Sequence, residues 1–260
     1  MSFTAKLQFL NIVTYTKNIE YDKMYKRLSR FYNIFSNVDT LFVIYDPLLN
    51  TDQLLVGDIL FLKGEGTIVP GILRKTIDAF LLREEKISTY NFIVRTNIST
   101  VINFFALERV ILKSNIINID YLSAFINNLS WLDPSAGIFD NSYHGLRYGS
   151  GIMILMSPYL VKSILNKRHY LNFNVVDDIA FGLFMKEHFP NIILYEISQY
   201  VFSNHEDIDF ITKIKYIKYS CENPDTILWR NKSNNRAVDA QCLNYICDLV
   251  IKNEGFNVLI

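Results

Sequence analysis

The chain has 260 residues, half of them hydrophobic and 14% aromatic, enough for one large domain around a buried sheet or two small ones. Its 26 Lys and Arg balance 26 Asp and Glu, so no net positive field draws it to nucleic acid, and a general nucleic-acid binder is disfavoured. Cys221, Cys242 and Cys247 lack metal-ligand spacing and read as reduced core thiols.

No Pro-, Gly- or Ser-rich linker divides the chain, which favours a single domain over residues 1–260. Met1 to Thr16 carries neither a basic leader nor an apolar run long enough to span a bilayer, and no later segment supplies one. The expectation is a cytoplasmic protein with no membrane span.

In chain order, Leu10 to Val13 reads as a strand, and Met24, Leu28, Phe31 and Phe35 then recur at the helical period. Thr40 to Tyr45 and Asp58 to Leu62 are continuous apolar runs with polar C-terminal ends, as in buried parallel strands. Pro70 opens a helix through Arg83 with Ile72, Leu73, Ile77, Phe80 and Leu81 on its apolar stripe. Asn91 to Val94 predicts a strand with a polar end through Thr100, and Val101 to Leu112 a helix capped by Ser99 or Thr100. The order β-α-β-β-α-β-α predicts an α/β fold with a mostly parallel sheet flanked by helices. Ligands gather at the C-terminal strand ends of such sheets, which here carry Thr14, Asp46, Arg95, Asn97 and Ser99.

Later in the chain, Tyr148-Gly149-Ser150-Gly151-Ile152-Met153-Ile154-Leu155-Met156-Ser157 reads as a Gly-pinched apolar strand ending in a Ser-Pro helix start. About twenty residues on, Asp177-Asp178-Ile179-Ala180-Phe181-Gly182 puts an acidic pair at a helix mouth, where a carboxylate can face a cleft. Ile192 to Ile197 reads as a strand, and Val238, Cys242, Tyr245, Ile246 and Leu249 lie on a final helix.

Together the Gly-Ser-Gly strand and the acidic pair resemble the "sGagYvlSrdlv … EDvyvG" signature of the beta-1,3-galactosyltransferase, N-acetylglucosaminyltransferase and Fringe glycosyltransferases. In order and spacing the chain looks closest to the compact glycosyltransferase-like proteins encoded by large DNA viruses, which implies the host cytoplasm as a setting. The resemblance implies a GT-A (Rossmann-like) fold, with about 1–112 as the nucleotide-sugar-binding half and about 113–260 as the acceptor and catalytic half. It also implies hexosyl transfer from a nucleotide sugar to the hydroxyl of a glycan or glycosylated acceptor, inverting, with Asp178 as general base. Asp177 either belongs to the acceptor side or cleft wall or caps the helix. Gly149, Ser150 and Gly151 would form the cleft wall.

The family's metal-binding string "KTDDDvfv" is matched by Arg95-Thr96-Asn97-Ile98-Ser99, where Asn97 and Ser99 replace the carboxylates. Neutral oxygens are weak ligands for magnesium or manganese, so metal use is in question. Cations are the available substitute at the donor diphosphate. Lys75 lies in a segment that resembles the family's "yyNLtlKT" helix, while Lys232 and Arg236 sit late in the chain where a loop can close over phosphates. Thr14, Asp46, Arg95, Asn97 and Ser99 complete the expected donor site. Phe202-Ser203-Asn204-His205-Glu206 loosely resembles the segment whose histidine completes the metal site, which makes His205 a third metal ligand, a diphosphate contact or a polar loop residue. A catalytically inactive nucleotide- or glycan-binding protein is the alternative, suggested by the missing carboxylates. Other nucleotide-binding α/β enzymes are disfavoured, because neither a Gly-x-Gly-x-x-Gly fingerprint nor a Walker loop occurs at a strand-to-helix junction.

Overall fold

The computed structural model describes residues 6–256, so the first five residues of the Met1–Thr16 segment lie outside it. In chain order the first elements are β1 (Phe9–Thr14), α1 (Ile19–Tyr32), β2 (Val38–Asp46), β3 (Gln53–Val56), β4 (Ile59–Lys63), α2 (Gly71–Leu82), β5 (Phe92–Asn97), β6 (Thr100–Ile102) and α3 (Phe104–Lys113). There follow β7 (Tyr121–Ser123), β8 (Ile126–Asn128), β9 (Arg147–Gly149), β10 (Met153–Met156), α4 (Pro158–Asn166) and α5 (Asp177–His188). The last are β11 (Leu194–Glu196), β12 (Val201–Asn204), α6 (Phe210–Cys221), β13 (Leu228–Asn231) and α7 (Arg236–Asn253). They cluster into two compact units whose segments interleave along the chain. Among the described residues no helix is long and apolar enough to cross a membrane.

The first unit takes the residues up to Thr16, then Asp39–Asn97 and Asn118–Ile197. Its centre is an eight-stranded sheet in the order β11-β7-β10-β5-β1-β2-β4-β3. Strands β11, β7, β5 and β1 run one way with β10 reversed between β7 and β5. Strands β2 and β4 are parallel, and β3 folds back on β4 as an antiparallel edge. The strands alternate as a pleated sheet must: Leu10 and Ile12, Leu41 and Val43, Leu60 and Leu62, and Ile154 and Met156 share one core with the apolar sides of α2, α4 and α5. Ser157 caps α4 by accepting from the Leu160 amide, and Pro158 occupies its first turn, as the Ser-Pro pair predicted.

The second unit takes Lys17–Val38, Ile98–Ile117 and the chain from Ser198 onward. Its three-stranded sheet, β12-β13-β6, packs with α1, α3, α6 and α7, and Phe31, Tyr32, Phe35, Phe104 and Phe105 form a connected aromatic cluster. Helix α1 buries Met24, Leu28 and Phe31 as the period predicted, and Phe35 is buried just beyond its end. Cys221, Cys242 and Cys247 are free and buried.

Three sequence expectations need correction. The helix predicted from Val101 starts at Phe104, because Asn103 accepts from the Phe105 and Ala106 amides while Thr100–Ile102 pairs with β13 as a strand. The single strand predicted from Tyr148 to Met156 is two: β9 pairs with β8 in a separate ribbon, residues 150–152 turn, and β10 enters the main sheet. Strand β3 was not expected, since all four of its residues are exposed and it shows no burial alternation.

Candidate functional site

The site lies at the C-terminal end of β5 in the first unit. Thr14 of β1 is in register with Asn97 of β5, and Met153 of β10 pairs with Thr96, so the 150–152 turn sits directly against that strand end. The turn is held from several directions. Thr96 Oγ1 donates to the Ile152 carbonyl at 2.9 Å, and Ser123 Oγ donates to those of Ser150 at 3.2 Å and Met153 at 2.9 Å. The Gly151 carbonyl accepts from the Arg95 guanidinium and from Asn97 Nδ2 at 3.2 Å. On its other side, the Gly151 amide donates to Asp178 Oδ2 at 3.0 Å.

Space at position 151 is tight. A Cβ there would stand 3.1 Å from Arg95 Nη1 and 3.2 Å from Asp178 Oδ2. Gly149 is tighter, 2.5 Å from the Tyr121 hydroxyl, and Gly182 brings α5 against Tyr148 at 2.7 Å. Gly149 and Gly182 are thus places where strand and helix approach too closely for a side chain, and at Gly151 the neighbours would have to give by a few tenths of an ångström.

Both acids occupy the first turn of α5, and their surroundings set them apart. Asp177 is 1% exposed and its carboxylate turns inward to Arg95, itself 2% exposed, with Oδ2 2.6 Å from Nη2. That contact is electrostatic and lacks the alignment of a hydrogen bond. The N-cap position is Val176, which has no side-chain cap, so the expectation of Asp177 as a capping residue gives way to a buried ion pair. Burial pushes the Asp177 carboxyl upward, against the pull of Arg95 and, more weakly, Lys75. Asp178 is only partly buried and accepts from the Gly151 amide and from its neighbour Ile179 at 2.9 Å. Burial first, then the charge of Asp177, lifts its carboxyl to about 6, with the Gly151 amide and Arg95 opposing the rise.

Lys75, from α2, is 1% exposed and donates to the Tyr15 carbonyl at 2.7 Å, with its ammonium 5.1 Å from the Tyr45 ring centroid. Burial and then Arg95 push it down to about 8, while Asp177 opposes. Thr14 is buried and donates to the Thr96 carbonyl at 3.3 Å. Asp46 is half-buried at the end of β2, where its carboxylate accepts from the Leu48 amide and starts a turn. The first unit therefore brings together Lys75, Arg95, Asn97, Gly151, Asp177 and Asp178, with Thr14 beside Asn97 in the sheet.

Ser99, His205, Lys232 and Arg236 belong to the second unit. Ser99 is buried. Arg236 pairs with Asp239 at 3.1 Å and lies over the Tyr21 ring, while Lys232 is exposed, its ammonium pushed down by burial and then by Arg230 and Arg236. His205 is exposed, its ring nitrogen 2.9 Å from Ser203 Oγ, and burial followed by Arg230 and Lys232 lowers its pKa. Asp239 also holds buried Lys213 at 3.3 Å and two groups of Ser233, a network no sequence motif announced.

A divalent metal does not fit the strand end. Asn97 turns its amide nitrogen to the Gly151 carbonyl, Asp177 is paired with Arg95, and Asp178 is engaged by two backbone amides. Among the described residues no group of three or more His, Cys, Asp or Glu side chains is placed to hold a metal.

The missed partner of the acidic pair was Arg95. Its signal was a lone cation closing the apolar run Phe92-Ile93-Val94, a position that demands a buried counter-charge.

No protein-family model matches the chain, and no curated protein sequence matches it. Among solved structures it is similar to a glycosyltransferase involved in the glycosylation of the major capsid of PBCV-1, at 11% identity and a TM-score of 0.49 over 92% of this chain and 99% of that one. It is also similar to mouse xyloside xylosyltransferase 1 in its apo form, at 10% identity and a TM-score of 0.35 over 86% and 97% of the two chains.

Proposed function

We propose that the chain is a nucleotide-sugar-dependent glycosyltransferase, inverting, with Asp178 as the general base. One observation carries the reading: a partly exposed carboxylate, raised to about 6 by burial and a neighbouring charge, stands at a helix mouth beside the C-terminal end of a parallel sheet. A base of that pKa is ionised at neutral pH yet is a stronger proton acceptor than an ordinary aspartate. In the proposed step the acceptor hydroxyl oxygen attacks the anomeric carbon from the face opposite the diphosphate. The bond to the diphosphate oxygen breaks, its electron pair leaves with the nucleotide, and Asp178 takes the hydroxyl proton. No enzyme nucleophile is needed.

The donor's sugar-nucleotide portion is proposed to lie at Thr14, Asp46 and Asn97. Lys75 and Arg95, drawn into the buried network, support Asp177 rather than the phosphates. Divalent metal is proposed to be dispensable, because the strand end offers neutral oxygens and engaged carboxylates. A screen of nucleotide sugars for release of free nucleotide, followed by the anomeric configuration of the product, tests the reading. A product that retains the donor configuration would overturn the single-displacement step, and an inactive protein whose melting still responds to nucleotide would favour a binding protein instead.

A further inference from the structure

Gly151 links two groups otherwise far apart in sequence: the end of β5 holds its carbonyl, and its amide holds Asp178. A Cβ there would press on both Arg95 and Asp178, and the glycine that avoids this is also the residue with the least intrinsic conformational restraint. Something outside the turn must fix it. We propose that Arg95 and Asn97 are positioning residues that clamp the Gly151 carbonyl, so that the Gly151 amide stays aimed at the Asp178 carboxylate. This rests on Asp178 being the working base.

The chemistry of the two donors suits that task. Arg95 uses one nitrogen on Gly151 and another on Asp177, a fork that a single ammonium cannot reproduce. Its charge is spent on Asp177 inside the fold. A carboxylate in place of Asn97 would face the Gly151 carbonyl with no proton to give. An amide can donate. An amide at this position is therefore half of a clamp.

The charged and titratable groups facing Asp178 are Asp177 on its own helix, Arg95 on β5, Tyr121 on β7 and Tyr148 on β9, with Lys75 on α2 acting on Asp177. The Gly151 amide, like Arg95 and the Ile179 amide, favours the ionised form of Asp178. Releasing it should raise the carboxyl further.

The test follows Asp178 by carboxyl-carbon NMR across pH, its signal assigned by its absence in Asp178→Asn. In Asn97→Ala, which removes one donor from a half-buried side chain, the midpoint is expected to rise by about half a pH unit or more. Arg95→Lys should do the same, and if that variant does not fold, Asn97→Ala carries the test alone. In a transfer assay both variants should lower kcat and move the acid limb of the pH profile upward by the same amount, with donor KM unchanged in Arg95→Lys. An Asp178 midpoint unmoved in folded Asn97→Ala would overturn the clamp. The titration needs no substrate, so it stands or falls separately from the transferase reading.

Discussion

Burial and Asp177 lift the Asp178 carboxyl from 3.8 to about 6, so at neutral pH the group is ionised where the fold favours it neutral. The sign follows from linkage. Below about pH 4 the group is protonated in both folded and unfolded chains and no penalty exists; through pH 4 to 6 the unfolded chain releases its proton first, and above 6 the penalty is complete. The Gly151 and Ile179 amides donate to different oxygens of Asp178, and Asp178→Asn, like the protonated acid, keeps one acceptor oxygen for them while removing the charge. It should therefore stabilise the protein at pH 7 by up to about 3 kcal/mol, give no gain below pH 4, and cut turnover by about 10²-fold or more. Urea melts at the two pH values and a turnover assay check this, and destabilisation at pH 7 would refute it. Asp177→Asn shares that relief of a buried charge but also strands Arg95 without its partner, at a cost of about 3–5 kcal/mol, so it should stabilise the protein at pH 7 less than Asp178→Asn does.

Helix α5 owes its position to Gly182, which packs against the Tyr148 side chain of β9 and sets how far the acidic turn stands from the 150–152 turn. Gly182→Ala gains roughly 1 kcal/mol of helix propensity but drives a Cβ to 2.7 Å from Tyr148 Cβ, and overpacking of that kind typically costs about 1–3 kcal/mol. A net loss of stability is expected, read as a lower Tm; an unchanged or higher Tm would mean that α5 shifts freely. Elements were legible in the sequence where one apolar period ran unbroken, as in β1, β2, β4, α1, α2 and α7. They were not where identity depended on a distant partner: Thr100–Ile102 is a strand only because β13, from Leu228, pairs with it. At the candidate site, Asp178 and the Gly-Ser-Gly turn were legible as motifs. The Arg95–Asp177 pair was not, since nothing local in either segment says that the other closes on it.

At the scale of the whole molecule, 26 cationic and 26 anionic side chains offer a nucleotide diphosphate no net attraction, so any donor affinity must come from local contacts. A metal ion is one local source of positive charge, but the strand end presents an amide and already engaged carboxylates to it. Side-chain cations are the other source, and they are indifferent to a chelator. A nucleotide sugar that the protein recognises, supplied at a hundred times its Kd, should stabilise the fold by about 2.7 kcal/mol. That gain should persist in EDTA, add little when manganese is supplied, and shrink as ionic strength rises, because exposed ion pairs with phosphate are screened by salt. Thermal melts with donor, in EDTA and then in excess manganese, separate the two sources. A shift that disappears in EDTA and returns with manganese would mean that the bound diphosphate recruits a metal, with carboxylates such as Asp46 drawn away from their present backbone partners to hold it.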